Sequence, residues 1–179
     1  MSLKKLDLFV CLKLAIWAEA SWTYAALGDA LGLSASEANA SVKRSLAAGL
    51  LTPARSGEDA KPMAARQGLL EFIRHGIRYA FFESPGRTRR GMPTAHSAPP
   101  LHAILQPGAA PPLVWPDPEG EARGQVFQPL YKTVPAAAKK DPALYEVLAL
   151  VDAIRGGRAR ERELGFELLA ERISRPDGD

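Results

Sequence analysis

The chain has 179 residues, 46% of them hydrophobic and 24% charged, with a net charge of +3. This length fits one domain or a small domain with an extension, and the apolar share suffices for a packed core. A single cysteine excludes an intrachain disulfide framework and a thiolate zinc site, and no apolar run reaches the roughly 18 residues of a membrane span.

That cysteine, Cys11, sits in the apolar run LFVCL, where it is expected to be buried as a small hydrophobe. The start MSLKKLDLFV has too short an apolar part for a signal peptide, so a cytoplasmic location is expected. Charge is distributed unevenly. Residues 1–53 carry five basic against four acidic side chains, residues 54–95 eight against four, and residues 96–179 ten against twelve. The basic excess falls directly after the opening segment, where accessory phosphate contacts would be useful.

Leu6, Val10, Leu14 and Trp17 recur at helical spacing, with Phe9 and Leu12 nearby, and predict an amphipathic helix over 5–19. Ser21 and Thr23 offer caps for a second helix from Tyr24 to Leu31. Gly32 stands where a helix end needs a left-handed residue, and Leu33 can turn back into the core. Ser34 and Glu37 form the S-x-x-E capping box, so a third helix starts at once and runs to Gly49. Ala38, Val42 and Leu46 share one side of it, and Ser36, Glu37, Ala40, Lys43 and Arg44 the other. Two helices joined by a tight glycine turn, the second with a short polar outer face, match the helix-turn-helix design. A major groove about 12 Å wide admits such a face and excludes a thick apolar ridge.

Leu50-Leu51 and Met63–Ala65 flank TPARSGEDAKPMAARQ, a stretch rich in Pro, Gly and charge, and predict a hairpin or wing. With WTYAALGDALGLS and SASEANASVKRSLAAGLLTPAR, the segment 5–67 resembles the winged helix-turn-helix domains of bacterial transcription regulators, MarR-like in general type. The resemblance implies that fold and binding of double-stranded DNA. Its base-reading positions fall on Ser36, Glu37, Asn39, Ala40 and Lys43. Glu37 is acidic and Ala40 offers only a methyl group, which leaves a thin reading head of Ser36, Asn39 and Lys43, with Arg44 for phosphate. Ser34 caps the helix and is a further phosphate contact, while Arg55 and Lys61 are expected to act from the wing.

Farther along, Gly68–Ser84 begins with a helical face broken at Gly76, and Arg78–Phe82 reads as a short strand-like run. Arg87, Arg89 and Arg90 crowd a turn-rich stretch and form a candidate auxiliary phosphate clamp, weighed against a solvated loop. Nine prolines lie between Pro85 and Pro118. Interspersed Leu101, Ile104, Leu105, Leu113, Val114 and Trp115 argue for an ordered excursion over a flexible linker. Within WPDPEGEARGQ, Asp117, Glu119 and Glu121 are read as turn formers leading a hairpin into Val126-Phe127 rather than as acid–base residues. Thr94, His96, Ser97 and His102 gather in PTAHSAPPLH, but His96 and His102 are six apart, which is not a zinc spacing. No catalytic residue, metal or cofactor is expected. Asp141-Pro142 predicts an N-cap and first turn for a helix to Arg155, and residues 158–175 a last helix with a charged outer face.

The expected architecture is α+β, mainly helical. It comprises a winged helix-turn-helix over 1–67, a helix with a proline-rich irregular section and short strands over 68–140, and a C-terminal helical hairpin over 141–175. The favoured function is a DNA-binding transcriptional regulator, a repressor acting as a homodimer, whose extension serves dimerisation, a protein partner or a small-molecule effector. The other reading is a protein-interaction adaptor or an antitoxin-like protein that uses the winged helix as a scaffold. No membrane partner is expected.

Overall fold

The computed structural model describes residues 1–17, 21–54, 56–57, 60–106, 108 and 110–174. The protein is α+β and mainly helical. Three helices open it, α1 (Lys5–Ile16), α2 (Tyr24–Leu31) and α3 (Ala35–Ala47). Strands β1 (Leu51–Thr52) and β2 (Met63–Ala64) follow, paired antiparallel with Leu51 opposite Ala64 and Thr52 opposite Met63. Next come α4 (Arg66–His75) and the single turn α5 (Ile77–Ala80), with the break at Gly76. Leu69, Leu70, Ile73 and Ile77 form one buried stripe across both. The strand-like run expected at Arg78–Phe82 is instead the end of α5 up to Ala80, with Phe81 at its C-cap. Without a neighbouring strand to pair with, it stays helical, and the Phe81 N–H donates to the Ile77 carbonyl at 2.8 Å.

The proline-rich section is ordered around β3 (Thr88–Pro93), β4 (Leu113–Pro116) and β5 (Ala122–Val126), with a 3-10 turn at Ala95–Ser97 and α6 (Leu101–Ile104) between β3 and β4. Each strand pairs with the other two, so the three close on themselves. β3 runs antiparallel to β5 from Thr88–Gln125 to Gly91–Ala122, and antiparallel to β4 from Gly91–Pro116 to Pro93–Val114. Gly91 opposes both partners, and a Cβ there would collide with the Trp115 carbonyl, so only glycine permits the closure. The hairpin expected from Trp115 into Val126 is corrected here. Its turn forms, with the Gly120 N–H donating to the Asp117 carbonyl at 3.0 Å, but β4 and β5 run parallel to each other and take β3 as their antiparallel neighbour. Leu101, Leu113, Val114 and Trp115 are buried as expected, whereas Ile104 is exposed.

The C-terminal helices are α7 (Val134–Lys140), α8 (Pro142–Gly156) and α9 (Ala159–Ser174). Asp141 caps α8, accepting from the Leu144 N–H at 3.1 Å, and also accepts from Lys13 of α1 at 2.8 Å. α8 and α9 lie antiparallel: Gly165 rests on Ile154, and Arg172 donates to Glu146 at 2.8 Å.

α1 is buried on every side, from Leu6 through Leu12 and again at Leu14 and Ala15. One apolar cluster includes α1, α2, α3, the β3–β5 unit and α8, and so runs across the boundaries expected at 67 and 140. A polar knot stitches its far side. Asp152, fully inside, accepts from Thr94 Oγ1 (2.8 Å), Trp115 Nε1 (2.7 Å) and Arg155 Nη2 (2.9 Å). Arg155 also donates to the carbonyls of Phe81 and Gln128. Burial pushes the Asp152 carboxyl above its ordinary range, against the pull of Arg155 and the other donors. Among the described residues no helix is long and apolar enough to cross a membrane.

Candidate nucleic-acid interface

Local chemistry shapes the α2–α3 corner. Thr23 Oγ1 accepts from the Ala26 N–H at 3.0 Å and starts α2. Gly32 ends it in the left-handed region, at φ 68°, and the Leu33 N–H donates back to the Gly28 carbonyl at 2.8 Å. Leu33 is buried, and Ser34 opens α3 through the full capping box. Ser34 Oγ accepts from the Glu37 N–H at 3.1 Å, and Glu37 Oε2 accepts from the Ser34 N–H at 2.9 Å. From the distant C-terminal half, Thr133 donates its hydroxyl to the Leu31 carbonyl at 2.7 Å and pins the end of α2.

α3 buries Ala38, Ser41, Val42 and Ser45. Ser36, Ala40 and Lys43 face outward and exposed, with Asn39 half-buried beside them. Arg44, expected to meet phosphate, is also engaged within the fold. Its Nε bonds both oxygens of Asp7, at 3.1 and 2.9 Å, and its Nη2 bonds Oδ1 at 2.7 Å. Ser41 Oγ donates to the same Oδ1 at 2.8 Å. Asp7 is wholly inside, so Arg44 serves to neutralise it, and its hydrogen bonds to Asp7 raise the guanidinium pKa further. Glu37 is likewise engaged. It accepts the Tyr131 hydroxyl at 3.0 Å, and its carboxyl is held below the ordinary value first by the Ser34 N–H, then by the Ser34 and Tyr131 hydroxyls. The phenol of Tyr131 is raised in turn by Glu37. A groove of about 410 Å³ runs along this flank between Lys4, Lys5, Glu37, Ala40, Leu130 and Tyr131.

Beside α3, the β1–β2 hairpin is anchored by Trp22, whose Nε1 donates to the Pro62 carbonyl at 3.3 Å. Lys61 is half-buried at the base of β2. Arg55 lies outside the described residues.

The arginines expected in a turn are carried on a strand. Arg89 and Arg90 belong to β3 and Arg87 immediately precedes it, all exposed. Pairing with β5 fixes them there, because the glycine at 91 lets β3 serve two neighbours at once. That pairing sets Arg123 of β5 directly opposite Arg90. Arg123 was not legible as a site residue, since nothing local in EARGQV ties it to residue 90. Arg89, Arg90, Arg123, Asp117 and Gln128 line a groove of about 600 Å³. Asp117 is held below its ordinary range by Lys139, at 2.6 Å.

Of the residues of PTAHSAPPLH, His96, Ser97 and His102 line one cavity of about 510 Å³, and both ring nitrogens of His96 are buried without a hydrogen-bond partner among the described residues. Thr94 serves the Asp152 knot, Ser97 Oγ accepts from the Leu113 N–H at 3.0 Å, and His102 is exposed. Among the described residues no three of His, Cys, Asp and Glu gather as a metal-holding group. Compared with protein-family models, with curated protein sequences and with solved structures, the chain matches none of them.

Proposed function

We propose that the protein is a DNA-binding transcriptional regulator, a cytoplasmic repressor that reads duplex DNA through a winged helix-turn-helix of the MarR-like general type. The observation that carries this reading is the outward face of α3. Ser36, Ala40 and Lys43 stand exposed there with Asn39 at the edge, no thick side chain blocks entry into a major groove, and the helix starts from a capped N-terminus. Asn39 supplies the donor–acceptor pair that suits adenine, Lys43 a donor for guanine or phosphate, and Ala40 a methyl contact to thymine. The β1–β2 hairpin with Lys61 acts as the wing. A reading head this small gains affinity and discrimination from a second copy, so the repressor works as a homodimer on two half-sites about one helical turn apart.

A protein-contact role for the same helices, adaptor or antitoxin-like, is favoured by one observation: Tyr131 already bonds Glu37 on the flank of α3. Titrating the full chain into a labelled duplex from upstream of its own gene, with unrelated competitor DNA, separates the two. Binding survives competitor under the regulator reading, and Asn39→Ala with Lys43→Ala lowers specific affinity by about 10- to 100-fold, one good base contact being worth about 1–3 kcal/mol. Loss of all binding to competitor, or an unaffected double variant, sides with the protein-contact role.

A further inference from the structure

We infer that Arg89, Arg90 and Arg123, on the closed β3–β5 unit, form a phosphate-binding groove that grips the DNA backbone beyond the reading helix. The inference rests on the DNA-reading function proposed above. Its starting point is the register. Arg90 lies directly across from Arg123 in an antiparallel pair, an arrangement in which like charges repel. Among the described residues neither has a carboxylate or carbonyl partner, nor do Arg87 and Arg89. The one acid in the groove, Asp117, is already taken by Lys139 at 2.6 Å. The fold therefore sets Arg90 and Arg123 opposite each other without neutralising them, with Arg89 on the same groove, and an external anion removes the repulsion.

The platform is rigid, as a preformed anion site requires. Behind it Trp115 is buried and donates to Asp152, and Arg155 ties the Gln128 carbonyl to the same carboxylate. Gln128 lines the arginine groove, while Leu130 and Tyr131 line the groove on the flank of α3. From residue 128 to residue 131 the chain can span at most about 10 Å, the axial rise of roughly three phosphates on one strand. The two linings are thus close along the chain.

The groove walls choose among nucleic acids. Its other lining residues are Thr88, Pro116, Pro118 and Val126, and the nearby Trp115 and Phe127 are buried. Unpaired bases need exposed aromatic faces to stack upon, and this groove offers none. Charge without a stacking surface fits the sugar–phosphate edge of a duplex.

The test is a salt titration of full-length protein on a labelled duplex that extends a helical turn past the reading helix. Wild type is compared with the Arg90→Gln/Arg123→Gln double variant, both residues being exposed and outside the core. Each phosphate contact contributes about 0.9 to the slope of log affinity against log salt, so the double variant loses about 1.8 from that slope. Equivalently, the wild-type advantage shrinks about tenfold between 50 and 200 mM salt. Arg90→Lys/Arg123→Lys, which keeps the charge, retains most of the slope. An unchanged slope in the glutamine variant, while Lys43→Ala still weakens binding, overturns the groove and leaves the reading helix standing. Single-stranded DNA outcompeting the duplex overturns it as well. No duplex binding by wild type at low salt removes the DNA function itself.

Discussion

Asp7 and Arg44 illustrate how one long-range contact adds a role to a residue. Read locally, Arg44 sits one turn beyond Ala40 on the outer face of α3 and belongs to the phosphate contacts. In the fold it closes over a carboxylate with no exposure, 37 positions earlier in the chain. Arg44→Ala leaves that carboxylate buried and unpaired and is expected to destabilise the protein by about 3–5 kcal/mol, measured by urea unfolding. Lys43→Ala, on the exposed side, changes stability by less than about 0.5 kcal/mol. Equal destabilisation by the two would remove the strut role. Ser34, Thr23 and Gly32 were legible in the sequence because caps and helix ends are settled within three or four residues. Arg44 and Arg123 were not, because their partners come from α1 and β3, and no spacing rule connects residue 44 to residue 7 or residue 123 to residue 90.

At the scale of elements, α3 depends on its first turn. Removing the cap by Ser34→Ala is expected to cost about 1 kcal/mol of stability. Glu37 adds a pH dependence. The fold holds its carboxyl below the ordinary 4.5, so the folded state binds fewer protons there than the unfolded chain. Its contribution is whole above that value and drains away as pH falls through the lowered one. Urea unfolding at stepped pH is therefore expected to show wild type ahead of Glu37→Gln near neutrality, with the gap narrowing below about pH 4.5. A gap that widens on acidification would contradict the capping geometry. Long or well-capped elements such as α2, α3 and α8 could be read from periodicity and caps. The strand β3 and the turn α5 could not. GRTRRGMP carries the composition of a loop, and its strand state comes from two neighbours far along the chain. YAFF has the composition of a strand but finds no ladder to join.

Across the whole molecule, the single cluster explains the behaviour of Cys11. Burial pushes its thiol up to about 12, from 9.0. The folded state therefore retains a proton that the unfolded chain gives up, and this contribution to stability is complete below about pH 9 and lost as pH climbs toward 12. At pH 8 a thiol reagent is expected to label native protein only as fast as the fold opens, and urea-unfolded protein at once, as mass spectrometry would record. Rapid labelling of the native state would contradict the packing around α1.

The burial of α1 on all sides has a consequence for how the N-terminal segment is inherited. A helix packed against α3 and β2 and also against α8 and α9 belongs to neither half alone. Residues 1–67 taken by themselves would leave Leu8, Phe9 and Leu12 without part of their covering, and the Lys13 ammonium without Asp141. The N-terminal segment is therefore not a cassette that recombination or protein engineering can move onto another body. Under the function proposed above, changes in the sequence read are expected on the outer face of α3, at Ser36, Asn39, Ala40 and Lys43, which lie outside the shared interior.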